Sequence, residues 1–173
     1  MHAWFDALIF FIPAGTANMA PLFANKIPLL NEWKTPIDLG RTYKGTRIFG
    51  KNKTFRGLLC GVILASLTAF LIYHLFSVPY SQTVFVAGGA AMGFGALLGD
   101  AVESFFKRRA GVAPGNAWFP FDQLDYIIGG LIISYPILTP SLATIVRVIV
   151  LYFGLHLLVS YIGYLLGFKE KPI

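Results

Sequence analysis

Charged residues are scarce in this chain of 173 residues, where Asp, Glu, Lys and Arg together make up 13%. Soluble domains carry about 25%. So few charges, with 56% apolar residues and a mean hydropathy of +0.67, exclude a disordered chain and a nucleic-acid-binding tail. The single cysteine, Cys60, excludes an intramolecular disulfide framework. A membrane protein is the class that fits this composition.

The apolar residues fall into five segments, each close to the roughly 20 residues that a bilayer-spanning helix needs. The predicted helices cover about residues 2–23, 57–76, 83–106, 121–139 and 142–168. No basic stretch precedes the first segment, and Asp6 lies near its start, so we do not expect a cleavable signal peptide. The sequence therefore predicts an all-α, polytopic membrane protein with five transmembrane helices, forming one domain over residues 1–173.

Basic residues are concentrated in two of the connections and in the C-terminal tail. Segment 24–56 carries eight Lys and Arg against two acids, and segment 107–120 opens with Lys107, Arg108 and Arg109. The connections 77–82 and 136–141 carry no charge. By the positive-inside rule, this alternation predicts an outside N-terminus, with both long loops and the C-terminus in the cytoplasm. The net charge of +6 is then explained by loops that face anionic headgroups, without any nucleic-acid partner.

Glycines are dense in the third predicted helix. They are Gly88, Gly89, Gly93, Gly95 and Gly99. Small residues at such spacing allow helices to approach closely within a lipid bilayer, so we expect this helix to pack tightly against its neighbours.

The strongest chemical signal is a set of acids at the ends of two predicted helices. Asp100, Glu103 and Lys107 are spaced i, i+3 and i+7 and share one helix face, while Asp122 and Asp125 share a face at the start of the next helix. Each carboxylate in a membrane helix costs about 2.5–3.5 kcal/mol, and neighbouring carboxylates repel one another. Because only one short cytoplasmic loop separates the two helix ends, the two pairs are expected to face each other across it.

A bound divalent cation would offset both costs, and ligands that are all oxygens favour Mg²⁺, with Mn²⁺ as a substitute. The sequence predicts a site for one or two Mg²⁺ ions held by Asp100, Glu103, Asp122 and Asp125. An alternative interpretation is that these acids pair with the basic residues at the start of the loop that follows, at the water interface.

A second motif, GKNKTFRG at residues 50–57, directly precedes the second predicted helix. Its Lys53, Thr54 and Arg56, together with backbone N–H groups, suit a chain of phosphates. The spacing of a Walker loop is absent, and a basic segment that only sets membrane topology is an equal alternative. Asn18, between two prolines near the end of the first helix, either lines a cavity or satisfies kinked backbone.

Five stretches of the chain resemble one family of enzymes. They are PAGTANMAP (13–21), PIDLG (36–40), FGKNKTFRG (49–57), GDAVESFFKRRAGVAPG (99–115) and FDQLD (121–125). Together they resemble the CTP:lipid-phosphate cytidylyltransferases over almost the whole chain. The diacylglycerol enzymes usually carry a Lys-Asp pair, a His-Gly-Gly and an Asp-Arg-x-Asp, where this chain has Ala113-Pro114, Trp118-Phe119-Pro120 and Asp122-Gln123-Leu124-Asp125. The chain is therefore most similar to the CDP-archaeol synthases.

The resemblance implies transfer of CMP from CTP to a prenylated glycerol-phosphate ether lipid, unsaturated archaetidic acid, with release of pyrophosphate. Asp100, Asp122 and Asp125 would hold Mg²⁺, and Glu103 would ligate the metal or orient a water. The residues implied to bind the triphosphate are Lys53, Thr54, Arg56, Lys107 and Arg108. Asp38 and Ser104, in two of the matching stretches, are further candidate site residues.

Other membrane proteins also place acids in helices. A CDP-diacylglycerol synthase or a prenyl-phosphate transferase would use Mg²⁺ in the same way, but a CDP-alcohol transferase needs a DGxxAR signature that the sequence lacks. A small ion transporter would place its acids near the bilayer midplane, whereas these acids lie at the predicted cytoplasmic helix ends.

Overall fold

The fold is a bundle of long helices, known here from a computed structural model that describes residues 2–113 and 116–167. Its elements, in chain order, are α1 (His2–Ala24), α2 (Pro28–Asn31), β1 (Thr42–Tyr43), β2 (Thr46–Arg47), α3 (Phe55–Leu75), α4 (Gln82–Arg109), α5 (Phe121–Leu138) and α6 (Leu142–Leu165). The all-α architecture predicted from the sequence is confirmed, apart from the small hairpin β1–β2. The predicted end of the last helix, Phe168, and the tail after it lie outside the described residues.

Four of the described helices, α1, α3, α4 and α6, are long and apolar enough to cross a bilayer. Helix α5, of 18 residues, is not among them; Asp122 and Asp125 near its start lower its hydropathy. The chain is thus a multi-pass membrane protein, and the four long helices match four of the five predicted spans.

Hydroxyl side chains set where three of the helices begin. The Thr54 hydroxyl accepts a hydrogen bond from the Gly57 N–H at 3.1 Å, which starts α3 two residues before the predicted boundary. Ser81 and Ser141 cap α4 and α6 in the same manner. Each cap satisfies one of the N–H groups that a helix leaves without an internal partner.

Helix α4 lies between α3 and α5, and α1 packs against α3, α4 and α6. The buried core includes Phe11, Met92, Ile127 and Val148, one from each of four helices. Phe11 meets the Tyr152 ring edge-on, with ring centroids 5.0 Å apart, and the Tyr152 hydroxyl donates to the Leu8 carbonyl. These contacts join α6 to α1 and close the bundle.

The α4–α5 interface is built from glycine backbone, as the glycine spacing of α4 predicted. A Cβ added to Gly99 would lie 2.2 Å from the Asp125 carbonyl oxygen, and one added to Gly129 would lie 2.2 Å from the Gly95 carbonyl oxygen. Real Cβ atoms essentially never approach so closely. The two helix backbones therefore touch, and this contact brings the acids of α4 against those of α5.

The predicted loop 24–56 is more structured than its composition indicated. The hairpin turns through Lys44 and Gly45, both with positive φ, which is the geometry of a tight two-residue turn. The Ile37 N–H donates to the Lys53 carbonyl at 2.8 Å, and Phe55 N–H donates to the Thr35 carbonyl. The segment before α3 is thus held in a fixed path beside the helix ends.

Candidate active site

Three of the four predicted metal ligands meet at one point. Oxygens of Asp100 and Glu103 on α4 and of Asp125 on α5 all lie within 4.8 Å of one another. The Glu103 Oε1 atom is buried without a hydrogen-bond partner, although Lys107 Nζ lies 3.7 Å away. An oxygen-only ligand set with a buried atom in need of a partner fits a hard divalent cation. We call these three residues the acidic cluster.

The fourth acid, Asp122, is bound differently. Its carboxylate accepts from the Lys107 ammonium and, at 2.6 Å, from the Trp118 N–H. It lies beside the acidic cluster without completing the ligand set within 4.8 Å. Its predicted role as a metal ligand therefore stays a prediction. The sequence did not predict the Trp118 contact, because its donor is a backbone N–H group, which nearly every residue has.

Two lysines neutralise part of the negative charge around the cluster. Lys53 Nζ, from the first loop, donates to Asp100, and Lys107, with a side chain 9% exposed, contacts Glu103 and Asp122. Among the described residues, Asp125 has no ion-pair partner. Two ammonium groups face four carboxyl groups, so the region around the acidic cluster has fewer basic groups than acidic ones.

The interpretation that the acids pair with the basic residues of the second loop holds for Lys107 alone. The Arg108 guanidinium donates to the Val112 carbonyl at 2.7 Å, and the Arg109 guanidinium donates to the Phe105 carbonyl at 2.8 Å. Arg108 thus binds a carbonyl of the loop that follows α4, and Arg109 binds a carbonyl in the last turns of α4 itself. A phosphate-binding role for Arg108 stays a prediction.

Arg56 and Thr54, expected at the triphosphate, have structural contacts here. The buried Arg56 guanidinium donates to the Leu30 carbonyl at 2.6 Å and to the Asn25 side chain, which ties α3 to the end of α1 and to α2. Thr54 caps α3. Their role at phosphates is untested, and of the basic residues in the motif it is Lys53 that reaches the acids.

Asp38 organises the first loop. Its buried carboxylate accepts from the Arg47 guanidinium and from the backbone N–H groups of Gly40, Phe49 and Gly50. Burial raises the pKa of this carboxyl, but the hydrogen bonds from Arg47 and from those N–H groups outweigh burial, so its pKa lies well below the usual range. Asp38 is therefore ionised at neutral pH and holds the loop together from within.

The same loop is docked onto α4. The Ser104 hydroxyl donates to the Phe49 carbonyl at 2.8 Å. The Tyr43 ring of the hairpin stacks on Phe105, and the Arg109 guanidinium lies 3.4 Å from the centroid of the Phe105 ring. Ser104 and Asp38 thus position the loop that carries Lys53, and neither touches the acidic cluster directly.

Two different cavities meet at the acidic cluster. A cavity of about 460 Å³, which we call the polar cavity, has Asn18, Lys53, Thr54 and Asp100 in its lining next to several apolar residues. A groove of about 640 Å³ between α4 and α5 is lined by Glu103, Asp125 and mostly apolar residues. These apolar residues include Leu98, Val102, Phe106, Leu124, Ile128 and Ile132. The cluster therefore has a partly polar surface with a lysine on one side and a hydrocarbon-like surface on the other.

The fold and this site define a helical multi-pass membrane protein with a charged centre at one end of its bundle. A family model described as CarS-like, CDP-archaeol synthase, matches residues 2–173. The chain belongs to this family.

Curated relatives and a solved structure agree with the family. The CDP-archaeol synthase of Methanospirillum hungatei is 37% identical over 86% of this chain and 95% of its own. That of Thermococcus gammatolerans is 35% identical over 99% of this chain and 98% of its own. A structure described as "Structural insight into an intramembrane enzyme for archaeal membrane lipids biosynthesis" superposes with a TM-score of 0.74 at 29% identity, covering 89% of this chain and 92% of that one.

Proposed function

We propose that this protein transfers the cytidylyl group of CTP to the phosphate of an unsaturated archaetidic acid, which yields CDP-archaeol and pyrophosphate. A phosphate oxygen of the lipid attacks the α-phosphorus of CTP, and the bond from that phosphorus to the oxygen bridging to the β-phosphorus breaks. Both substrates must therefore bring a phosphate to one point, one from water and the other from the membrane.

The observation that carries the proposal is the position of the acidic cluster between two unlike cavities. The polar cavity beside Lys53 and Asp100 suits a nucleoside triphosphate, because it offers an ammonium group and polar side chains. The groove between α4 and α5 suits prenyl chains, because its walls are largely apolar. Asp100 lines the first, and Glu103 and Asp125 line the second, so the reacting phosphates would meet at the cluster.

Asp100, Glu103 and Asp125 would hold Mg²⁺, with Asp122 and Lys107 next to them. A bound divalent cation would neutralise charge on the reacting phosphates. The chain's own cations, Lys53 and Lys107, would bind phosphate oxygens in place of the carboxylates they contact in this structure. The protein's contribution is mainly positioning and charge neutralisation, as is typical of phosphoryl transfer.

The proposed topology has five spans, with the N-terminus outside and the acidic cluster on the cytoplasmic side. The basic first loop and the basic end of α4 support this orientation. Helix α5 would be the fifth span; its 18 residues extend roughly 27 Å, close to the thickness of the hydrocarbon core. Its two aspartates, in the first turns, would then lie at the cytoplasmic surface.

The direct test is incorporation of labelled CTP into lipid by the purified protein in detergent, with the lipid phosphate as acceptor. We expect Asp125→Asn to lower kcat at least about a hundredfold, because the charge that a cation requires is removed at constant size. Glu32→Gln, at an exposed residue after α2, is the matched control and should keep its activity.

Thermal unfolding of the same variants separates a metal site from a structural ion pair. Asp125 has no ion-pair partner among the described residues, so its neutralisation should leave the metal-free protein as stable as before, or more stable. Activity should also disappear in excess EDTA and return with Mg²⁺ or Mn²⁺. A fully active Asp125→Asn variant, or full activity in chelator, would refute the proposed site.

A further inference from the structure

A third cavity, of about 480 Å³, lies at the other end of the bundle. Its walls are formed by the first turns of α1 and α6 and by the connection between α3 and α4. Asp6, Tyr80 and Arg147 are among its polar residues. Phe85, near the start of α4, also lines it, and Asp100 lies 15 residues further along that helix. At 1.5 Å per residue the two positions are roughly 22 Å apart, so this cavity is separate from the acidic cluster.

Arg147 is the unusual residue of this cavity. It is half-buried, one and a half turns into α6, and it forms no ion pair or hydrogen bond with any residue in 2–113 or 116–167. Leaving a guanidinium partly desolvated without an anion costs free energy. Its planar set of donors matches a phosphate, which can accept two parallel hydrogen bonds.

Asp6 lines the same cavity at a similar depth from the start of its own helix, yet it does not pair with Arg147 in the described part of the chain. An ionised carboxylate only accepts hydrogen bonds, so it suits a ligand that carries donors as well as a phosphate. The rings of Phe5 and Phe76, with centroids 5.8 Å apart, give the cavity an exposed aromatic wall. Aromatic side chains of this kind are typical of the membrane interface.

We propose that this cavity binds the headgroup of a phospholipid from the leaflet opposite to the acidic cluster. The phosphodiester binds Arg147, and a hydroxyl or ammonium group of the headgroup donates to Asp6. The glycerol part lies against Phe5 and Phe76. This site would hold a lipid that is not consumed, because the cavity does not reach the acidic cluster.

The test measures binding of two short-chain phospholipids of equal charge to the detergent-purified protein, by native mass spectrometry. Phosphatidylglycerol carries hydroxyl donors beyond its phosphate, and phosphatidylmethanol carries none. Arg147→Gln should weaken both by about tenfold to a hundredfold, as expected for a lost charge-assisted contact. Asp6→Asn should weaken phosphatidylglycerol but leave phosphatidylmethanol unchanged or bound more tightly, because a like charge is removed.

A matched variant at the other end of the bundle is the control. Arg41→Gln removes an exposed positive charge from the first loop and should not change the affinity for these lipids. If Arg147→Gln does not fold, Arg147→Lys keeps the charge but loses the planar donor set, and a smaller loss in affinity for both lipids is expected. Unchanged binding in the folded Arg147 variant would overturn the proposal. So would equal occupancy by inorganic phosphate at the same concentration, since the ligand would then not be a lipid headgroup.

Discussion

Substitution of Gly99 by alanine tests how the acidic cluster is held together. The new Cβ would lie 2.2 Å from the Asp125 carbonyl oxygen, about 1.2 Å inside the 3.4 Å at which ordinary contact begins. The obstacle is backbone, which cannot rotate away as a flexible side chain would. Helices α4 and α5 must therefore separate by roughly an ångström at the level of the acids.

The expected cost has two parts. Overpacking of a close contact destabilises a protein by about 1–3 kcal/mol. Separation of the helices also moves Asp125 away from Asp100 and Glu103, and a misplacement of about 1 Å in an active site can lower the rate about a hundredfold. We therefore expect Gly99→Ala to lower both the unfolding temperature and kcat. Gly129→Ala, which meets the Gly95 carbonyl oxygen at 2.2 Å, should act in the same direction.

The control is Gly154→Ala in α6, where an added Cβ meets no atom within 4 Å. Alanine is the better helix former by about 1 kcal/mol in water, so this variant should keep its activity and lose no stability. Thermal unfolding and the CTP incorporation assay on the three variants supply the comparison. Normal activity and stability in Gly99→Ala would refute the inference that glycine backbone contact sets the spacing of the acids.

Three further predictions concern the first loop and the membrane topology. Lys53→Gln should raise KM for CTP about tenfold or more, because a charge-assisted phosphate contact is lost. Lys51→Gln, at an exposed residue, should leave KM unchanged. Equal kinetics in the two variants would mean that the basic motif only sets the membrane topology. Because the folded pKa of Asp38 lies below its unfolded value of about 3.9, its contribution to loop stability is present above that pH and is lost as pH falls towards the folded pKa. Protection of the loop from hydrogen exchange should thus be constant from pH 7 to about 5 and fall below about 4; a loss that begins near pH 6 would contradict this assignment. Cysteines placed at Ser81 or Ser141 should react with impermeant reagents from outside the cell only, and labelling from the cytoplasm would reverse the proposed orientation.

The helices could be predicted because apolar length and capping residues are local properties of the chain. The boundaries at Gln82, Phe121 and Leu142 lie within a residue of those predicted. The sequence predicted α5 as a fifth span, but α5 is not among the helices apolar enough to cross a bilayer, and Asp122 and Asp125 lower its apolar content. Spacing within a helix also indicated that Asp100 and Glu103 share a face, and the acidic cluster confirms it.

The contacts between distant segments could not be predicted. The Lys53–Asp100 pair joins residues that are 47 positions apart. The motif around Lys53 predicted a phosphate-binding role, but it did not indicate which acid Lys53 contacts. For Arg56, the charge predicted a contact with substrate phosphate. In the structure the residue is buried, and its guanidinium donates to the Leu30 carbonyl of the protein itself. Asp38 matched a family motif, yet the hydrogen bonds that it accepts from four other residues depend on how the loop folds back.

The docking of the first loop has a consequence for how the polar cavity can widen. The Phe49 carbonyl accepts from Ser104, Lys53 donates to Asp100, and the Tyr43 ring stacks on Phe105. The loop is thus attached at three places to the helix that supplies two of the three clustered acids. We therefore expect the first loop and α4 to move together. For a nucleotide to enter the polar cavity without loss of these contacts, another part of the lining would have to move, such as the end of α1 with Asn18, Pro21 and Leu22.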